Sequence, residues 1–312
     1  MRGYIDADAA AVRKARAGGK RRARKRQMGA RASARVRLGV KTHWRDAAAM
    51  AALARRHGAR VLEYQMLPGD LERHARDAFE AFLPLRGEFE LRVHQPEAFW
   101  RDGRLHRLDP ASGDKALRDA SAQALGEMAR HAMELRAKAL IVHGGGIYRP
   151  GQRPGTPEAL RASLEDVPRH VPLLLENMPW FYASRSEGWD DGRAPAFTLA
   201  AEGLAPFAPL VDGFVLDVSH AYLAVEEGDR KNVLELAAAL GPRVRHVHAS
   251  GGRARVGSRG EGTPFGDSDY GLDLVRVSNG GSTTFVFQSV LRNDAEHEDE
   301  YSLAVELSLI HI

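Results

Sequence analysis

Metal-binding residue types stand at the ends of several short apolar runs in this 312-residue sequence. Five runs end in this way, at His94, His143, Glu176, Asp217 and His248. Short apolar runs that end in a polar residue are typical of buried strands. If the ends of these strands meet, their side chains offer imidazole and carboxylate ligands to a divalent metal ion. Such an ion can polarise a carbonyl, activate water or hold a sugar diol.

Two spacings near the last of these runs add further candidates. His220 follows Asp217 by three residues and can face the same cavity from the adjoining loop. His246 and His248 alternate along one strand, so both point to one face of it. We expect His248 to bind the metal and His246 to support it, because strand geometry lets one of the pair reach the metal well. Residues 63–65 end another apolar run and are candidates for substrate contact.

Strand and helix signals alternate along the sequence and predict an α/β fold. The eight predicted strands are residues 36–42, 61–65, 89–94, 140–143, 173–176, 214–217, 244–248 and 284–288. Strands that alternate with helices form βαβ units and a parallel sheet. Eight such strands predict a (β/α)8 TIM barrel. Catalytic residues of this fold lie at the C-terminal ends of the strands, where this sequence has its histidines and carboxylates.

Helices are predicted at residues 46–57, 70–83 and 114–135, and a further helix begins at Thr156-Pro157, with proline at its first position. The stretch between the third strand and residue 114 is predicted to be a long loop that carries Trp100. No full helix follows the eighth strand, so we expect a barrel that is truncated at its last helix.

Charge and composition predict three segments. Residues 1–35 are a basic segment, interpreted as a disordered tail or as sequence upstream of the true start at Met28, with a nucleic-acid-binding or targeting arm as the alternative. Residues 36–306 form the barrel domain. The last six residues, 307–312, resemble the translation of a sequencing adaptor and are predicted to be foreign, so His311 is set aside as a ligand.

The net charge of +4 is uneven: residues 1–37 carry +11 and the remainder −7. An acidic barrel argues against a DNA-wrapping surface.

Composition also restricts the possible metal ligands and the expected cellular location. The sequence has no cysteine, so any metal must bind to imidazole, carboxylate or amide groups. The absence of cysteine fits a cytoplasmic protein. No apolar run approaches the roughly 20 residues that span a bilayer, so no membrane association is predicted.

The motifs around these candidates resemble the xylose isomerase-like TIM barrel superfamily. The residues that carry the resemblance are Leu140-Ile141-Val142-His143, Leu175-Glu176-Asn177, Asp217-Val218-Ser219-His220 and His246-Val247-His248. The superfamily includes sugar phosphate isomerases and epimerases and the endonuclease IV type, the AP endonuclease family 2. The Asp-x-x-His element with His-x-His about thirty residues later is fairly specific for the superfamily but not for one activity.

The resemblance implies a ligand set and two catalytic residues. Glu176, Asp217 and His248 match the shared metal ligands, and Glu176 and His220 would be catalytic. His94 and His143 match two histidines that hold a multi-zinc cluster in the endonuclease IV type. His220 matches a ligand in the nucleases and a substrate contact in the epimerases.

The sequence departs from the family pattern at two places. Asp267 matches the aspartate of an Asp-x-His element and is a predicted ligand, but Asp269 stands where the nucleases have histidine and is assigned to substrate binding. Gln288 stands where a metal-binding glutamate is usual. Its amide oxygen can bind metal weakly but cannot act as a general base. Trp180 is predicted to stack on a sugar ring, and Gly145 to contact a substrate phosphate through its backbone.

These residues leave three functions open. The first is a sugar or sugar-phosphate isomerase or epimerase that depends on a divalent metal (Zn, Mn, Mg or Co), and the acidic barrel favours it. The second is an endonuclease IV-like phosphodiesterase that acts on abasic DNA, which His94, His143 and His220 favour. The third is a catalytically inactive binding barrel, which Gln288 alone suggests.

Overall fold

The computed structural model describes residues 37–182, 192–271, 274 and the backbone of 284–287. Four sequence-based interpretations lie outside these described residues. They concern the basic segment 1–35, Gln288, the predicted truncation at the last helix and the segment 307–312. The described residues belong to one compact unit that begins at Arg37. None of the described helices has the length and apolar composition needed to cross a membrane.

Eight parallel strands form a closed barrel, which confirms the predicted (β/α)8 fold. They are β1 (Arg37–Thr42), β2 (Val61–Gln65), β3 (Glu90–His94), β4 (Leu140–His143), β5 (Leu173–Glu176), β6 (Gly213–Asp217), β7 (Val244–Ala249) and β8 (Thr284–Phe287). Strand β8 closes the barrel by pairing with both β7 and β1. All five predicted ligand residues at strand ends lie at the C-terminal ends of their strands, in β3 to β7.

Helices cover the outside of the barrel. The described ones are α1 (Ala47–Arg56), α2 (Ala75–Phe82), α3 (Lys115–Glu134), α4 (Pro157–Asp166), α5 (Ala201–Leu204), α6 (Val218–Tyr222) and α7 (Arg230–Leu240). Helix α4 begins as predicted, with proline at its first position, and the Thr156 hydroxyl accepts a hydrogen bond from the backbone of Ala159 at 3.1 Å.

Helix α2 begins at Ala75, five residues later than predicted, because Asp70 has another role. The Asp70 carboxylate accepts hydrogen bonds from the Tyr64 hydroxyl at 2.6 Å, the Leu67 backbone N–H at 2.8 Å and the Trp44 indole at 3.0 Å. These bonds tie the loop after β2 to the barrel. An aspartate engaged by three separate segments anchors a loop and does not start a helix.

Three short hairpins lie on loops after barrel strands. The predicted long loop after β3 contains the antiparallel pair Ala98–Arg101 and Arg104–Arg107. Its two-residue turn places Asp102 and Gly103 at φ 52° and 72°, which matches the backbone twist that hairpins need. The other two pairs are Phe181–Tyr182 with Gly192–Arg193, and Gly251–Gly252 with Glu261–Thr263.

The barrel has two apolar clusters of different size. The larger cluster includes side chains of the helices and of strands β1 to β7. The smaller one consists of Ala139, Ile141, Leu174 and Val215. Ile141, Leu174 and Val215 each precede a predicted ligand by two residues, so they share its side of the strand. This cluster therefore fills part of the barrel interior directly beneath the predicted ligands.

Candidate metal centre

Six strands and one helix bring seven potential ligands together at the C-terminal end of the barrel. Three groups of side chains have ligand atoms within 4.8 Å of one another. The groups are Glu63, His94 and His248; His94, His143 and Glu176; and Glu176, Asp217 and His220. His94 and Glu176 each belong to two groups, so the seven residues form one continuous set, which we call the ligand cluster. Each of its members is at most 4% exposed.

Glu176 lies at the centre of the ligand cluster and contacts four histidines. Its Oε2 atom is 3.0 Å from Nε2 of His94 and 3.4 Å from Nε2 of His143. Its Oε1 atom is 2.9 Å from Nδ1 of His248 and 3.4 Å from Nδ1 of His220. A carboxylate with one oxygen close to each pair of imidazoles could help to hold divalent metal, which would supply Lewis acidity or activated water.

The ionisable side chains of the ligand cluster shift one another's pKa values. Burial works to raise the pKa of Glu176, but its electrostatic and hydrogen-bond interactions with His248 and His143 outweigh burial and hold that pKa well below its usual range. Burial prevails at His94 and lowers its pKa to about 4. The Nδ1 atom of His94 is bonded to the Gln95 carbonyl at 2.8 Å, so it carries the proton and Nε2 keeps its lone pair for a metal.

Asp217 is oriented by the helix that follows it. Its Oδ1 atom accepts hydrogen bonds from the backbone of His220 and the hydroxyl of Ser219, both at 2.8 Å, and so caps α6. This cap explains the Asp-x-x-His spacing, because it places the third residue of the helix beside the strand end. Asn177 reinforces the position by bonding both the backbone N–H and the carbonyl of Asp217.

His220 has hydrogen-bond partners on both ring nitrogens, and one of them is a carboxylate from a loop outside the ligand cluster. Nδ1 bonds the Asn177 carbonyl at 2.8 Å and Nε2 bonds Oε2 of Glu261 at 2.9 Å. Burial works to lower the pKa of His220, but the carboxylates of Asp217 and Glu261 raise it to about 10. His220 therefore carries a proton at neutral pH in the metal-free protein.

Glu63 enters the ligand cluster from β2, which pairs with the strand of His94. Its Oε2 atom is 2.6 Å from Nε2 of His246 and 3.0 Å from Nε2 of His248, and its Oε1 atom is 3.5 Å from Nζ of Lys41. Burial and the nearby Arg92 guanidinium lower the pKa of His246 to about 3, so His246 is neutral. Glu63 thus joins two neighbouring histidines of β7.

Two buried atoms indicate that the ligand cluster fits divalent metal. Nε2 of His143 and Oδ2 of Asp217 have no hydrogen-bond partner among the described residues. Buried polar atoms without partners are unfavourable. A divalent cation among the cluster would satisfy such lone pairs, and imidazole with carboxylate is a donor set that zinc and other transition metals accept.

Six of the predicted site residues lie in the ligand cluster: His94, His143, Glu176, Asp217, His220 and His248. Asp267 and Asp269 are exposed and lie outside the three groups. The Asp269 carboxylate accepts hydrogen bonds from the Ala254 backbone at 2.7 Å and the Tyr222 hydroxyl at 3.2 Å. Both assignments remain predictions, as does that of Gln288.

The two other predicted substrate contacts are engaged within the protein. Trp180 is half-buried, with its ring centroid 5.3 Å from that of Phe181. Gly145 has φ of 66°, and a Cβ there would lie 2.7 Å from Oδ1 of Asp109, so the position requires glycine. The neighbouring Gly146 N–H donates to the same carboxylate. Asp109 thus occupies one of the backbone N–H groups in the run of glycines. The substrate-binding roles of Trp180 and Gly145 remain predictions.

The sequence analysis did not identify Glu261, Lys41 or Arg92 as site residues. Arg92 lies on the same strand face as His94, and a charged residue within the apolar run Leu91–His94 was the available signal. Lys41 likewise interrupts an apolar strand. Glu261 carries no such signal, since it belongs to a polar loop that only the fold brings to His220.

Comparison with known proteins agrees with the barrel fold. The xylose isomerase-like TIM barrel family matches residues 51–278. Endonuclease IV from Thermus thermophilus is 22% identical with a TM-score of 0.60, and the match covers 86% of this chain and 97% of that one. A D-tagatose 3-epimerase-like protein is 18% identical with a TM-score of 0.58 over 88% and 97% of the two chains.

A third similar structure comes from another Thermus thermophilus protein, soaked with ZnCl2. It is 23% identical with a TM-score of 0.57, and the match covers 88% of this chain and 97% of that one. A search of curated protein sequences found no significant match. These structural identities establish a shared fold, whereas the family match spans most of the sequence. The chain belongs to the xylose isomerase-like TIM barrel family.

Proposed function

We propose that this protein hydrolyses phosphate esters at a centre of two or more divalent metal ions, as an endonuclease IV-like phosphodiesterase acting at abasic sites in DNA. The observation that carries the proposal is the overlap of the three ligand groups through His94 and Glu176. One isolated group would serve a single ion. Groups that share a carboxylate and an imidazole suit adjacent ions instead.

The donor chemistry favours hydrolysis over isomerisation. Four of the seven cluster residues are histidines. Imidazole suits zinc, whereas magnesium and manganese prefer oxygen donors. Bound ions would supply Lewis acidity and activated water for displacement at phosphorus. The sequence alone favoured isomerisation by a small margin because the barrel is acidic, and the position of His143 and His94 against one carboxylate now favours hydrolysis.

The protein's own residues have distinct roles in this proposal. Glu176 holds the two pairs of imidazoles in place through its two oxygens. His220 is suited to move a proton, because its Nε2 atom is 2.9 Å from the Glu261 carboxylate. Protonated His220 would donate that proton to the leaving oxygen, and Glu261 would keep the ring oriented.

A sugar or sugar-phosphate isomerase or epimerase is the second candidate. The burial of the ligand cluster favours it, since exposures of 4% or less suit a small substrate better than a duplex. A duplex would have to present a nucleotide that is rotated out of the helix. In this reaction Glu176 would take and return a proton at carbon, with the metal holding adjacent substrate oxygens.

Incision of a duplex oligonucleotide with one abasic site tests the first candidate. The full-length protein would be loaded with zinc, manganese or magnesium, and an undamaged duplex and the Glu176→Ala variant would serve as controls. We expect incision at the abasic site that depends on zinc and disappears in the variant. A zinc-loaded protein that leaves the abasic duplex intact but interconverts ketose epimers would favour the second candidate.

A further inference from the structure

We infer that Arg92, His246 and Glu63 form a positioning relay that fixes which ring nitrogen of His248 faces the metal. The inference rests on the metal centre proposed above and adds three residues that do not come from the family ligand pattern. All three are at most 5% exposed. They come from β3, β7 and β2. Glu63 is a member of the ligand cluster, and Arg92 and His246 lie on the same strand faces as His94 and His248, one layer further into the barrel.

The first step is the contact between Arg92 and His246. A guanidinium group can only donate hydrogen bonds. Arg92 makes a short contact with Nδ1 of His246, so Nδ1 must accept. Neutral His246 therefore carries its proton on Nε2.

The second step passes through Glu63. An ionised carboxylate can only accept hydrogen bonds. Oε2 of Glu63 is 2.6 Å from Nε2 of His246, which donates its proton there. Both oxygens of Glu63 are 3.0 Å from Nε2 of His248, so that nitrogen must also carry a proton. Nζ of Lys41 is a positively charged neighbour 3.5 Å from Oε1.

The third step concerns the remaining nitrogen of His248. Since Nε2 is committed to Glu63, only Nδ1 can bind a metal ion. Nδ1 is 2.9 Å from Oε1 of Glu176 and 3.5 Å from Oδ2 of Asp217. That Asp217 oxygen has no hydrogen-bond partner among the described residues, so the relay directs Nδ1 toward an unsatisfied carboxylate oxygen.

The relay has a defined physical consequence. A metal-binding histidine whose other nitrogen donates to a carboxylate is a more basic ligand, and it loses less rotational freedom when metal binds. Removal of such an outer carboxylate typically lowers metal affinity by about 10–100-fold. Glu63, His246 and Arg92 are positioning residues in this inference, since they act on the metal through His248.

Glu63→Gln tests the relay with little change in shape. If the amide oxygen keeps the bond from His246, the NH2 group takes the position of Oε1, which is 3.0 Å from Nε2 of His248. An NH2 group there cannot accept the Nε2 proton, so a carboxylate no longer holds the proton of His248 on Nε2 and Nδ1 is no longer reserved for the metal. We expect zinc affinity, measured by competition with a chelating dye, to fall about 10–100-fold. Asp70→Asn is the matched control, because it also neutralises a buried carboxylate but lies outside the ligand cluster.

His246 offers a second pair of variants that does not depend on the folding of Glu63→Gln. In His246→Gln the amide nitrogen replaces Nε2 as a donor to Glu63, so zinc affinity should stay within a few-fold of wild type. His246→Leu removes the donor and should lose affinity as Glu63→Gln does. Equal affinity in the two variants would contradict the relay.

Nuclear magnetic resonance of 15N-histidine-labelled, zinc-loaded protein shows directly which ring nitrogen of His248 binds zinc and which carries a proton. We expect His248 to have zinc on Nδ1 and a proton on Nε2. Zinc on Nε2, or unchanged affinity in Glu63→Gln, would overturn the inference. A wild-type protein that binds no zinc would overturn both this inference and the proposed function. Zinc on Nδ1 without incision of abasic DNA would support the relay and count against the phosphodiesterase only.

Discussion

The layer of the barrel interior beneath the ligand cluster has two chemically different sides. On β4, β5 and β6 the residues two positions before a ligand are Ile141, Leu174 and Val215. On β3 and β7 the equivalent residues are Arg92 and His246. All five are at most 5% exposed. The same strand geometry thus supports one side that packs and one side that forms hydrogen bonds.

The two sides of this layer should affect different properties of the protein. The apolar side contributes to the stability of the fold, and the polar side orients a metal ligand. Buried aliphatic side chains stabilise the folded state whether or not metal is bound. A buried Arg-His-Glu set loses most of its interaction energy to desolvation and adds little net stability. Its effect falls instead on the orientation and basicity of His248. We therefore expect changes on the apolar side to lower the free energy of unfolding and changes on the polar side to lower metal affinity.

Removal of Glu176 should have the largest effect, because both sides support this one carboxylate. Glu176→Ala leaves four histidines without their shared partner and disconnects Asp217 and His220 from the groups that share His94. We expect zinc retention after dialysis, measured by elemental analysis, to fall to background and metal-dependent activity to be lost. Circular dichroism should show a folded barrel. Wild-type zinc content in this variant would mean that the metal binds elsewhere.

Leu174→Ala should be the clearest test of the apolar side. Leu174 is 3% exposed, and truncation of such a leucine typically costs about 2–5 kcal/mol. Denaturant unfolding of the metal-free protein should show this loss, whereas the zinc affinity of the folded protein should change less than in Glu63→Gln. A larger loss of affinity in Leu174→Ala would remove the distinction between the two sides.

Zinc binding should release protons, and this release tests whether the polar side of the barrel interior controls metal binding. Burial works to lower the pKa of His248, but the carboxylates of Glu176 and Glu63 raise it well above its usual range, so His248 is protonated at neutral pH in the metal-free protein. A ligand nitrogen must be deprotonated, so the release of this proton lowers apparent affinity by about tenfold per unit of falling pH. Zinc affinity should therefore rise with pH across the neutral range. Calorimetry in buffers of different ionisation enthalpy measures the number of protons released, and zero release between pH 6 and 8 would show that zinc does not replace the proton on Nδ1 of His248.

Ile141→Val should have the smallest effect. It removes one methylene from the apolar side and should cost about 0.5–1.5 kcal/mol of unfolding free energy. Combined with Glu63→Gln, its effects on stability and zinc affinity should add, because the two side chains act on different quantities. Thermal unfolding and dye competition on the double variant measure both, and strong non-additivity would show that the two sides are coupled.

Much of the fold and six members of the ligand cluster followed from local patterns. The β-strand period of two and the alternation of strands with helices predicted the barrel, and the ends of the apolar runs predicted His94, His143, Glu176, Asp217 and His248. The Asp217–His220 spacing also follows from local structure, since it is a helix cap. The start of α2 was wrong because Asp70 bonds to Trp44, a residue 26 positions away.

The sequence by itself determined which residues share a strand face and which strand ends carry ligands, because a period of two requires no information about neighbours. Only the tertiary structure decided that Glu63 of β2 reaches His246 and His248 of β7, more than 180 residues away. It also decided that Glu261 meets His220. Contacts across a closed barrel depend on how all eight strands pair, and no local pattern specifies that closure.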